Sequence, residues 1–104
     1  MSFPEVTHLQ AFLLAELMEG ERTGRHLRER LAAVGHTKSG PAFYQLLARM
    51  EDAKFVKGRY DQKMVEGQVI KERVYEITGT GVRAVEDVRN FYLARPAGLG
   101  FQGV

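Results

Sequence analysis

Apolar residues recur along this chain first at helical spacing and then at alternating spacing. Leu9, Ala11, Phe12, Leu13, Leu14, Ala15, Leu17 and Met18 predict a first helix from Thr7 to about Met18. Thr7 with Gln10 three residues on has the form of a capping box, and Gly20 lies just past the end. A helix apolar nearly all round needs cover on more than one side. In so small a domain, a second subunit is one source of that cover. A second helix is expected from Thr23 to about Val34, with Leu27, Leu31 and Val34 as a narrow inward stripe and Gly35 as its end. A third begins after Ser39. Pro41 suits its first turn, and Phe43, Leu46, Leu47 and Met50 form its apolar face. Tyr44, Gln45, Ala48 and Arg49 are left for other faces.

The period then changes. From Phe55 to Gln62, Val56, Gly58 and Tyr60 alternate with Lys57, Arg59 and Asp61, which predicts a strand. Lys63 to Val69, with Glu66-Gly67 inside it, reads as a loose hairpin loop. Ile70 to Ile77 reads as the returning strand. Thr78 or Thr80 caps a fourth helix that carries Val82, Val85, Val88, Phe91 and Tyr92 and stops near Leu93, before Arg95-Pro96. The last residues are glycine-rich and predict a flexible tail. The expected fold class is α+β, mostly α: a winged helix-turn-helix of three helices, a two-stranded β wing and a C-terminal helix. The expected domain is residues 1–93, with its last helix at about 80–93, followed by the tail at 94–104. The wing cannot stand alone and must pack on the second and third helices.

At 104 residues and 44% hydrophobic, the chain suits one domain with a small core. It has no cysteine. That excludes a disulfide framework, a thiolate metal site and a cysteine nucleophile, and it favours a reducing, cytoplasmic setting. The apolar run Ala11 to Ala15 is too short for a membrane span and lacks the basic start of a signal peptide. Net charge is only +2, but it is unevenly placed. Between Arg22 and Arg73 stand twelve Lys or Arg against six Asp or Glu, a local +6, and the rest of the chain sums to −4. A positive middle between acidic ends suits a polyanion-binding face. A solvated mixed-charge surface is the plainer account.

The third helix is the candidate reading element for DNA. Lys38, Ser39, Tyr44, Gln45 and Arg49 can reach phosphates or base edges. Equally, Tyr44 fits a half-buried packing role, and Arg49 fits a surface ion pair. On the wing, Lys57 with Arg59 and Lys71 with Arg73 stand at alternate positions and so form compact pairs. With Lys63, and with Arg25 on the second helix, they suit phosphates flanking a groove. Lysines on an exposed strand edge also deter aggregation. His8, His26 and His36 show no ligand spacing, so no metal is expected. Ile77 to Val85 has a Gly-x-Gly but no third glycine and no Gly-Lys-Ser/Thr, so it reads as a strand-to-helix cap and not a phosphate loop. No carboxylate pair or nucleophile–base set stands out. The chain reads as a non-enzyme with no cofactor.

Three segments in order resemble the PadR-like winged-helix transcriptional regulators: Phe12 to Leu31, Phe43 to Val56, and Lys71 to Val85. The likeness spans nearly all of Val6 to Tyr92. Gly24 stands where that family has the glycine opening its second helix. Tyr44, Leu47, Arg49, Met50 and Glu51 fall on its recognition-helix pattern. Tyr75, Ile77, Thr78 and Gly81 match its strand-to-helix join. The chain departs at Lys54, which replaces the family's glycine after the third helix, and at Arg25, which replaces its usual tyrosine. The resemblance implies a homodimeric DNA-binding repressor paired through its C-terminal helix. It also implies a small aromatic effector near the dimer seam in some members. Phe12, Val85, Val88, Phe91 and Tyr92 are the candidates for that interface or ligand site here. A protein–protein adaptor built on the same fold, without DNA binding, is the alternative.

Overall fold

A computed structural model describes residues 6–94. Their elements follow in the order α1 (His8–Leu17), β1 (Arg22–Thr23), α2 (Gly24–Ala33), α3 (Gly40–Asp52), β2 (Val56–Val65), β3 (Gln68–Ile77) and α4 (Gly79–Leu93). The expected tail lies outside the described residues, apart from Ala94, which caps α4.

All four helices open on a hydroxyl cap. Thr7 and Gln10 form the reciprocal box: Gln10 N–H donates to Thr7 Oγ1 at 3.2 Å, and Thr7 N–H donates to Gln10 Oε1 at 3.1 Å. Thr23 accepts from His26 N–H, Ser39 from Ala42 N–H and Thr78 from Gly81 N–H. Each such bond satisfies an amide that the helix cannot pair internally, a contribution of about 1 kcal/mol.

The core joins Leu13, Leu14 and Leu17 of α1, Leu27 and Leu31 of α2, and Phe43, Leu46, Leu47 and Met50 of α3 to Val56, Tyr75 and Ala84. The α3 stripe is buried as its spacing predicts. Val34 is not: it is 49% exposed, because α2 ends at Ala33 and Gly35 turns the chain away at φ 94°. On α4 only Gly81 and Ala84 are buried; of the expected stripe, Val82, Val85, Val88 and Phe91 are half-buried and Tyr92 is exposed.

The sheet has three strands, in the order β1-β3-β2. β1 was not expected. Arg22 pairs with Tyr75 and Thr23 with Val74, and two residues are too few to show an alternating pattern. The expected loop at Lys63 to Val69 is also absent. β2 and β3 stay paired to Val65 and Gln68, joined by a two-residue turn at Glu66 (φ 51°) and Gly67 (φ 80°). Two successive left-handed residues make the turn that continues the twist of a hairpin. Glu66 takes the first of them despite its side chain, so residue preference understated the turn.

The junction of α3, β2 and α4 is tightly knotted. Lys54 adopts φ 66°. Phe55 N–H reaches back to the Met50 carbonyl and Lys54 N–H to the Glu51 carbonyl, both at 2.9 Å. These two bonds complete a left-handed helix end that usually carries glycine. The Thr78 hydroxyl donates to the Lys54 and Phe55 carbonyls, and Thr78 N–H donates to the Phe55 carbonyl at 3.0 Å. A Cβ on Gly81 would collide with the Phe55 carbonyl oxygen, so only glycine lets α4 start this close.

Candidate nucleic-acid interface

α3 separates its two jobs by face. Phe43, Leu46, Leu47 and Met50 anchor it, while Tyr44, Gln45, Ala48 and Arg49 are exposed. Its N-terminal approach is held from α2: Arg28 Nε donates to the Lys38 carbonyl at 3.0 Å. Tyr44 is 40% exposed, meets Phe43 edge-on at 5.5 Å, and lies across the start of α2. A Cβ on Gly24 would stand 2.7 Å from the Tyr44 hydroxyl oxygen. Gly24 is therefore there for closeness, and Tyr44 combines packing with exposure.

The wing is joined to α3 by Arg73. Its Nη2 lies 3.0 Å from Glu51 Oε2, and its guanidinium stands 4.9 Å from the Tyr60 ring centre and 5.6 Å from that of Tyr75. Burial works against the Arg73 charge, but Tyr75 and Glu51 more than offset it, so its pKa is raised. Burial pushes the Tyr75 phenol up as well, against the opposing pull of Arg73. Arg73 also lies over Gly58, where a Cβ would come within 2.7 Å of Nη2. Tyr44, Glu51, Tyr60, Lys71, Arg73 and Tyr75 line the resulting cleft of about 550 Å³ between α3 and the wing.

Strand register distributes the wing's cations. Directly paired residues share a face of the sheet. Gly58 pairs with Tyr75, Tyr60 with Arg73, Gln62 with Lys71 and Met64 with Val69, so these residues lie on the face joined to α3. Lys57, Arg59 and Lys63 alternate to the other face, beside Val74 and Glu72. The two expected pairs, Lys57 with Arg59 and Lys71 with Arg73, are thus on opposite sides. Several cations are also engaged. Arg59 makes a two-pronged bond to Glu21, at 2.9 Å for each oxygen. That bond holds the Glu21 carboxyl below its ordinary value and raises Arg59. Glu72 takes Lys63 at 3.2 Å and Arg25 at 3.9 Å. Among the described residues, Lys38, Arg49, Lys57 and Lys71 have no carboxylate within 4.0 Å. The cationic face is therefore narrower than the sequence suggested. Sequence reasoning passed over Tyr60 and Gln62, inside the expected strand, because they carry no charge, and Met64 and Val69 because it placed a loop where the strands continue. The alternation breaks at Gln62-Lys63 and Met64-Val65, so the Glu66-Gly67 pair was the local signal for the turn.

Among the described residues there is no cluster of His, Asp or Glu that could hold a metal, and no helix is long and apolar enough to cross a membrane.

A helical trio with a hairpin fixed beside its third helix, closed by a fourth, defines the winged helix-turn-helix class. Within that class this chain has the PadR-like fold. The solved structures similar to it include a PadR family transcription regulator from Clostridium difficile, at 16% identity and TM-score 0.71, covering 84% of this chain and 88% of that one. A PadR-like transcriptional regulator from Bacillus cereus is 25% identical, with TM-score 0.67, covering 81% and 80%. Bacillus subtilis PadR in complex with operator DNA is 19% identical, with TM-score 0.65, covering 86% of this chain and 49% of that one. These neighbours are transcriptional regulators, a non-enzymatic class. No family model and no curated protein sequence matches the chain.

Proposed function

We propose that this protein is a sequence-specific DNA-binding transcriptional regulator that acts as a homodimeric repressor. The observation that carries the reading is the division of α3: a buried side that fixes its angle, and an exposed side of Tyr44, Gln45, Ala48 and Arg49 flanked by the wing. Gln45 can pair with adenine edges in the major groove. Arg49, late on the helix, suits a phosphate, as do Lys38, Ser39 and Lys71. The likeness to a regulator solved with operator DNA supports the same use of the fold. The half-buried stripe of Val85, Val88 and Phe91 on α4, with Phe12 half-buried on α1 and Tyr92 exposed, supports pairing with a second copy. A small aromatic effector would enter at that seam. Two recognition helices would then meet half-sites about 34 Å apart, so the operator is palindromic or nearly so.

Selection of bound duplexes from a random pool tests the reading. The expected result is an enriched inverted repeat bound at nanomolar strength. Enrichment of no sequence would overturn it, and a monomer by sedimentation would favour a protein–protein adaptor.

A further inference from the structure

One face of the wing's outer end is apolar, although Lys63, Glu66 and Gln68 stand close by. Met64 and Val69 are 69% and 62% exposed and pair directly across the strands, and Val65 beside them is 41% exposed. Met64 and Val69 lie on the sheet face that Arg73 ties to α3. Proceeding outward from α3, that face presents Tyr60 with Arg73, then Gln62 with Lys71, then Met64 with Val69. It is one continuous surface that runs from stacked, to polar and cationic, to apolar. Met64 lies four residue steps along the strand from Tyr60, a reach of about 13 Å at ~3.3 Å per residue.

We propose that Met64 and Val69 form an apolar wedge that enters the DNA minor groove beside the major groove held by α3. This rests on the DNA-binding reading above and adds to it a point of sequence preference. The order of side chains matches the order of surfaces on a duplex. Moving outward from a major groove, a protein first meets a phosphate strand, which suits Lys71 and Gln62. It then meets the minor groove, whose sugar walls and base steps accept apolar side chains. The Met64–Val69 pair has no side-chain donor or acceptor with which to read base edges, unlike Glu66 and Gln68 at the turn. It therefore reads deformability and favours a pyrimidine–purine step, which opens most easily. Glu66 marks the limit of entry: it sits in the turn itself, and its carboxylate is kept off the phosphates if only the Met64–Val69 side enters.

The test uses the full chain and the duplex selected above, in two versions: one with a TA step at the wing position, and one with that step replaced by GG. Wild-type protein is compared with the Met64→Ser/Val69→Ser double variant. Wild type is expected to favour the TA duplex by roughly tenfold, and the variant to bind both alike, with an unchanged slope of affinity against salt. Hydroxyl-radical cleavage of the minor groove at the wing position should be protected by wild type and not by the variant. Both residues are exposed, so the variant's melting temperature should match wild type. Equal affinity and equal protection for the two proteins would overturn the wedge while leaving the regulator reading intact. Loss of self-association in the variant would also overturn it, assigning the tip to a protein contact. Failure of wild type to prefer any duplex would remove the wedge together with the regulator reading.

Discussion

Arg73 on β3 reaches Glu51 at the end of α3 with Nη2 3.0 Å from Oε2, so the wing is braced against the helix beside it. The sequence marks Arg73 as a phosphate contact, yet its charge is already answered within the protein. The guanidinium also lies against Tyr60 and Tyr75. Its role is to set the angle between two parts of one surface, and Lys71, two residues before it, is left for an outside partner.

This brace has a measurable strength. Arg73 and Glu51 side chains are 26% and 29% exposed, enough water to discount their attraction. A double-mutant cycle of Arg73→Ala and Glu51→Ala, followed by thermal unfolding, should give a coupling of about 1 kcal/mol. Arg73→Ala should cost more than Glu51→Ala, because it also loses the Tyr60 and Tyr75 contacts. A coupling indistinguishable from zero would count against the brace.

Two glycines should respond differently to the same added methyl. On Gly81 it meets the Phe55 backbone carbonyl, which cannot yield without moving the α3–β2 junction. Gly81→Ala should therefore destabilise by about 2 kcal/mol or more. On Gly58 it meets the far end of the Arg73 side chain. Gly58→Ala should cost less than Gly81→Ala, about 1 kcal/mol, since Arg73 can swing aside at the expense of its Glu51 contact. Chemical denaturation of both variants ranks them, and the reverse order would contradict the geometry.

Lys54 holds a left-handed backbone at φ 66°. Lys54→Gly should stabilise the protein by up to about 1 kcal/mol, and Lys54→Ala should not. The comparison isolates backbone strain from loss of the lysine charge, and the midpoint of denaturation is the readout.

Glu21 gives a pH-dependent term of known sign. Its hydrogen bonds from Arg59 hold its carboxyl below the ordinary value. The stabilisation is therefore present above the unfolded-state value, about 4.3, and is lost as pH falls through the lower folded one. The melting temperature of wild type should drop more than that of Glu21→Gln over this acidic range. High salt should shrink the difference, because the pair is exposed. Parallel curves at low salt would mean that the bond contributes nothing in solution.

Salt titration of DNA binding separates the two faces of the wing. Lys71→Ala should lower the slope of log K against log salt by about 0.9, the value of one phosphate. Arg59→Ala should change it less, because Arg59 is committed to Glu21. Equal slopes for the two variants would show that the Glu21 pair opens on binding.

Much of this molecule could be read from its order of residues. The Thr7, Thr23 and Ser39 caps, the choice of Thr78 or Thr80 for the last helix, the α3 stripe and the glycine at Gly35 act within one or two helical turns, so local spacing is enough to announce them. The segments resembling PadR-like regulators carried the winged-helix layout as well. Local spacing did not reveal β1, whose two residues become a strand only because β3 lies beside them. Nor did it reveal the division of the wing's cations, since one step of register moves every side chain to the other face. Arg59 finds Glu21 from 38 positions away, and Arg73 finds Glu51 from 22. Those meetings depend on how the hairpin lies against the helices, and charge counted along a chain says nothing of which partner will neutralise it.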